Sequence, residues 1–93
     1  MDDDALPSLR RPLPPAFRRW EVVVAPGAAR PYEAGEWADA IVVVEGGALD
    51  LVCLQGRRTR LTAGAIVVLT GLPLRELSNP GATPVVLVAV SRR

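Results

Sequence analysis

From Trp20 onward the chain is written in short apolar runs separated by glycine and proline. The runs 20–25, 40–45, 48–54, 57–61, 66–69, 75–78 and 85–90 predict strands. Val, Ile and Leu dominate them, and branched side chains suit a pleated surface. Pro26-Gly27, Gly46-Gly47, Gly56, Gly64, Gly71 and Asn79-Pro80-Gly81 supply turn chemistry between them. No window keeps a 3.6-residue apolar period for three turns, so no amphipathic helix is predicted. Short strands at spacings near ten residues predict an all-β sandwich or barrel.

Two runs, 41–44 and 85–90, are apolar at every position. An antiparallel sheet usually wets one face, so strands apolar on both faces call for a cover outside the core. The chain offers two covers. Residues 1–15 hold Pro7, Pro12, Pro14 and Pro15, and proline blocks both helix and central strand. They predict an extended arm, with the barrel domain over 16–93. The arm would lie over its own domain or a partner subunit, with docking to a proline-reading domain as the alternative. The second cover is another copy of the chain. At 93 residues and 9.9 kDa this is one small domain. A chain of this size buries about two thirds of its unfolded surface, so a dimer interface would add to a thin margin. A homodimer assembled through its β-surfaces is expected.

Charge and residue types remove several function classes. Net charge is +1, which gives no basic field for nucleic acid or an acidic membrane. One Cys excludes an internal disulfide framework and a Cys-based zinc cage. Zero His excludes a His triad, a His general base and every His-ligated metal. Met1 to Ala5 is acidic with no apolar core after it, unlike a secretory signal. No apolar run approaches the roughly 18 residues of a membrane span. A reduced, cytoplasmic setting is expected.

Two glycine-framed segments carry a family pattern. Gly27 is followed after five residues by Glu33-x-Gly35, after three more by Asp39, and after six more by Gly46. Gly64 is followed after five residues by Thr70-Gly71-Leu72, after two more by Arg75, and after three more by Asn79. This spacing resembles the cupin superfamily. Its first motif reads Gly, five residues, His-x-His, three or four residues, Glu, six residues, Gly. Its second reads Gly, five residues, Pro-x-Gly, two residues, His, three residues, Asn. Val43-Val44-Glu45-Gly46, Leu61-x-Ala63-Gly64 and the closing Asn79-Pro80-Gly81 are also similar to the family. The resemblance covers about residues 20 to 90. It implies a small antiparallel barrel of the double-sheet jelly-roll kind.

The departures bear on function. The resemblance implies a metal site of three His and one carboxylate, where this chain has Glu33, Gly35, Asp39 and Arg75. Arg75 would put a fixed cation beside the metal, and two carboxylates hold transition metals poorly against water. No metal and no cofactor are expected. The resemblance also implies that Glu33, Asp39 and Arg75 converge inside one end of the barrel. The Arg75 fork would then anchor an anionic or carbonyl-bearing ligand, or plug a vestigial site by pairing with Asp39. Tyr32 and Trp37 bracket the first motif. On a continuous strand, residues 33, 35, 37 and 39 share a face, which makes Trp37 a pocket wall or a core residue. Trp20, beside Arg18 and Arg19, is expected in an arm or interface. Cys53 is expected as a small buried apolar residue, since no His exists to activate it. The cluster 57–60 is expected as a solvated edge strand.

Three functions fit. One is a metal-free cupin-like domain that binds a small molecule through Tyr32, Glu33, Trp37, Asp39 and Arg75, or serves as an accessory or regulatory barrel. The second is a metal-independent isomerase, cyclase or lyase. Glu33 or Asp39 would be its general base, and Arg75 or Tyr32 would polarise a carbonyl. The third is a dimerisation or protein-interaction module whose barrel is filled by side chains. The barrel interior discriminates: an open cavity with convergent polar groups favours the first two, and a packed interior favours the third. Elemental analysis of the purified protein is expected to find no stoichiometric transition metal, and near one metal per chain would refute this.

Overall fold

The computed structural model describes residues 16–92, and the expected arm over 1–15 lies outside the described residues. Eight strands follow in chain order. They are β1 (Phe17–Val24), β2 (Ala29–Pro31), β3 (Ile41–Gly46), β4 (Ala48–Cys53), β5 (Arg58–Thr62), β6 (Ile66–Val68), β7 (Leu74–Ser78) and β8 (Val85–Arg92). They form two antiparallel sheets. The first has the order β1-β8-β3-β6 and the second β2-β7-β4-β5. This is the double-sheet, small-barrel architecture that the strand spacing predicts.

Side-chain alternation fixes which residues face inward. Val22 and Val24 of β1, Val42 and Val44 of β3, Leu49 and Leu51 of β4, Leu77 of β7, and Val85, Leu87 and Ala89 of β8 form one buried cluster. Trp20, Tyr32, Cys53, Leu61 and Val67 pack against it from the rim. Trp37, Leu69 and Leu74 join from loops and strand ends. Each interior position is therefore occupied by an apolar side chain of the chain itself. Trp20 is thus a rim residue of the barrel core, contrary to its expected place in an arm. Its position on β1 opposite Ala89 turns the ring inward, where neighbouring arginines do not decide its side.

The first motif segment also departs from expectation. In place of a continuous strand, Ala34–Trp37 forms a 3-10 helix. Pro31 is the last residue that β2 pairs with β7. The chain then turns through Glu36 N–H to Glu33 C=O and Ala40 N–H to Trp37 C=O. Residues 33, 35, 37 and 39 consequently share no face, and Trp37 alone enters the core with zero exposure.

The glycines and Asn79 of the motif lock the corners. Gly27 N–H donates to Asn79 C=O at 2.7 Å, and Asn79 N–H donates to Ala28 C=O at 2.9 Å. The buried Asn79 amide donates to Val24 C=O and Thr83 C=O, while its oxygen accepts from Gly81 N–H. One side chain thus closes the 79–84 loop and ties it to the end of β1. Gly47 has φ +78, and a Cβ there would sit 2.8 Å from the Pro84 carbonyl oxygen. Gly64 has φ +95 with open space around it. Gly64→Ala therefore meets only backbone strain and is expected to lose about 1–2 kcal/mol. Gly47→Ala adds a backbone clash and should lose clearly more; equal urea midpoints for the two variants would contradict this.

Candidate functional site

The charged residues at the motif positions do not converge in the barrel. Glu33 precedes the 3-10 helix, Asp39 follows it and Arg75 lies on β7, and all three are exposed. Among the described residues no ion pair joins Arg75 to either acid. The bulge between Val52 and Cys53 leaves Arg75 without a register partner on β4, and its carbonyl accepts from Tyr32 N–H. The inward convergence fails for a packing reason. Trp37 occupies that end of the interior, so an ion there would have neither water nor room.

Other motif residues are used structurally. Asp39 adopts φ +57, a left-handed conformation that Asp tolerates better than most residues. Its N–H donates to the Thr70 hydroxyl at 3.0 Å, and that hydroxyl donates to Trp37 C=O at 3.3 Å. Thr70 therefore stitches the first motif segment to the second. Tyr32 is half-buried, and its hydroxyl donates to Leu69 C=O at 2.7 Å. That bond holds the phenol against the barrel. The Trp20 and Trp37 rings lie 6.2 Å apart at 33°, with the Arg18 guanidinium 4.1 Å from the centre of the Trp20 ring. Arg30 pairs with Glu36, a contact that spacing alone did not indicate because it needs the 3-10 turn. The Nε1 atoms of Trp20 and Trp37 and Nε of Arg30 are buried without a hydrogen-bond partner.

The residues present do not fit the metal that this fold family uses. Gly35 offers no side-chain donor, Arg75 is a cation, and Glu33 and Asp39 are exposed at opposite ends of the 3-10 helix. Among the described residues no three His, Cys, Asp or Glu side chains cluster as metal ligands.

A polar network lies instead on the outer face of the second sheet. Asp50 is flanked by Leu49, Leu51 and Val52 in β4, and its side chain is only 5% exposed. Arg60 donates from Nε to Asp50 Oδ1 at 2.8 Å and from Nη2 to Oδ2 at 3.2 Å. Arg58 donates from Nε to Asp50 Oδ2 and from Nη2 to Ser78 Oγ, both at 3.2 Å. Hydrogen bonding from Arg60 is the main cause that holds the Asp50 carboxyl below its ordinary value, with Arg58 adding to it against the opposing effect of burial. The sequence carried a signal for this pair. A hairpin centred on Gln55 puts Asp50 opposite Arg60, the observed register. β5 is the edge strand expected from its basic cluster, with two of its arginines committed to Asp50.

Two depressions lined by described residues open on the outside. One of about 400 Å³ is bounded by Cys53, Leu54, Gln55, Arg57 and Pro73. Another of about 460 Å³ includes Phe17, Asp39, Ile41, Val90 and Arg92, at one end of the first sheet. Among the described residues no helix is long and apolar enough to cross a membrane.

Comparison with known proteins places this architecture. Neither a family model nor a curated protein matches the sequence. Solved structures do. A Cupin 2 conserved barrel domain protein from Salinispora arenicola CNS-205 is similar at 26% identity and TM-score 0.60, over 87% of this chain and 69% of that one. The Cupin 2 domain of an XRE family transcriptional regulator from Enterobacter cloacae matches at 28% identity and TM-score 0.56, over 86% and 90%. A sugar phosphate isomerase of the cupin superfamily from Silicibacter pomeroyi DSS-3 matches at 29% identity and TM-score 0.58. This chain spans about half (52%) of that isomerase's length.

The Asp50 network has a pH signature. A carboxyl whose folded value is lowered stabilises the fold above its unfolded value, and that contribution is lost as pH falls through the folded value. The Asp50 contribution should be complete above the ordinary value of 3.8 and fade below it. Urea unfolding of the native chain and of Asp50→Asn should differ at neutral pH and converge under strong acid. A difference independent of pH would refute the assignment. Replacing both Arg58 and Arg60 by Met strands the carboxylate and should cost more stability than Asp50→Asn.

Proposed function

We propose that this chain, a cupin-superfamily domain, works through the outside of its barrel as a protein-interaction or accessory module. The observation that carries this reading is the packed interior: Trp37, Val42, Val44, Leu49, Leu77 and Leu87 are all at zero exposure. A site for a small molecule needs concave space with a few convergent polar groups. The described interior offers apolar side chains in that place. The exposed positions of Glu33, Asp39 and Arg75 also remove support from a barrel carboxylate acting as base. Among the similar structures, the domain from a transcriptional regulator accords with an accessory role. The sugar phosphate isomerase keeps a chemical alternative in view for testing.

The test is thermal unfolding of the full chain with divalent cations, sugar phosphates and small keto acids. No saturable rise in melting temperature is expected. A saturable rise that Arg75→Met abolishes would overturn this reading and restore a ligand site at the motif residues.

A further inference from the structure

The outer faces of the two sheets differ in kind. The second sheet carries the Asp50, Arg58, Arg60 and Ser78 network outward, which suits contact with water. The first sheet presents Val23 at 60% exposure, Ile41 at 50%, Ile66 at 69% and Val68 at 52%, with Val86 and Val90 half-buried between them. These side chains lie on all four strands. The registers Val23↔Val86, Ile41↔Val90, Ile41↔Val68 and Val43↔Ile66 make them one continuous surface.

We infer that this outer face of β1-β8-β3-β6 is an interface between two copies of the chain. The inference deepens the interaction-module reading and rests on it. Area is the first argument. Strands about 4.8 Å apart and outward residues about 6.7 Å apart give a patch of roughly 20 by 20 Å. That is about 400 Å², near half of the ~800 Å² per partner in a standard interface. Specific interfaces have an apolar centre with a polar rim of similar extent, and the rim is present. Phe17, Arg19 and Glu21 line the β1 side, and the depression that includes Asp39 and Arg92 borders the other end. Charge is the second argument. Arg19 and Glu21 form an ion pair at 3.0 Å on the outward side of β1. Both signs on one strand let a two-fold axis match opposite charges across the seam, as a self-complementary patch requires. The chain's own residues 1–15 are a poorer fit, because Arg10 and Arg11 interrupt their apolar positions.

Sedimentation equilibrium on the full chain tests this across the micromolar range. The native chain should have twice the 9.9 kDa chain mass. Ile66→Glu/Val68→Glu should raise the dissociation constant by about 100-fold or more, with its β-sheet circular dichroism retained. Leu54→Glu, an exposed apolar position off this face, should leave the dimer intact. A native monomer would overturn the inference, as would a dimer that survives Ile66→Glu/Val68→Glu. If a monomeric native chain becomes dimeric on Leu9→Glu/Leu13→Glu, residues 1–15 are the occupant and the inference fails. A small-molecule effect that depends on Arg75 would sink the module reading without changing the mass, so the two failures are distinguishable.

Discussion

Two sheets must close over one another, and in this chain their own side chains fill the whole space between them. Stacked sheets stand about 10 Å apart, a gap that Val and Leu from facing strands occupy completely. Leu49, Leu77 and Leu87 do so here, and Trp37 fills the end where the 3-10 helix crosses. The rest of the molecule follows from that packing. With no water inside, an ion would stay only if paired and fully hydrogen-bonded. The buried N–H groups of Trp20, Trp37 and Arg30 that lack acceptors already carry a desolvation cost, about 1–3 kcal/mol for each such group. Further polar groups inside would add to it, so charge belongs on the outer surfaces.

The outer surfaces divide the work unequally. Sheet faces in so small a domain cannot all be hidden by its own chain. The second sheet resolves this with polar chemistry: Asp50 lies among apolar neighbours but is held by two arginines that remain half exposed. The first sheet has no such network across its centre, where valine and isoleucine run from edge to edge. The edge strand β5 is protected from pairing by its charges, whereas β6 at the other edge carries Ile66 and Val68 outward. The asymmetry gives the domain one face suited to solvent and one suited to a partner.

Much of this was legible in the sequence, for identifiable reasons. Seven strands follow from β-branched runs between turn residues, and their register needed only the hairpin centres. The glycines of the motif and Asn79 were legible because their roles are backbone roles, and a carbonyl or φ constraint leaves a fixed spacing. β2 was missed because three residues, Ala29–Pro31, carry no alternation to read. The 3-10 helix was missed because Gly35 and the alternating acids and aromatics fit a strand equally well; the end of pairing at Pro31 decides it. The Arg30–Glu36 pair could not be read without that turn. The fate of Glu33, Asp39 and Arg75 was illegible for a different reason. Spacing identifies positions in a fold, but which way a side chain points at a bulge depends on what already fills the interior.

The same chemistry expected at the barrel mouth, an arginine fork on a carboxylate, is realised on the outside at Asp50. The relocation has an energetic logic. Burying a whole ion pair removes both partners from water, at several kcal/mol for each ion, and mutual attraction often fails to recover it. At Asp50 only the carboxylate is desolvated, while Arg58 and Arg60 keep half their surface in water and still offer charge-assisted hydrogen bonds. Glu33, Asp39 and Arg75 avoid the problem by staying exposed, where leaving a charge unpaired costs little. Asp39 is kept to a use that needs no charge at all: it takes the left-handed turn after the 3-10 helix and gives its N–H to Thr70. A position that the superfamily gives to a ligand is, in this chain, a corner of the scaffold.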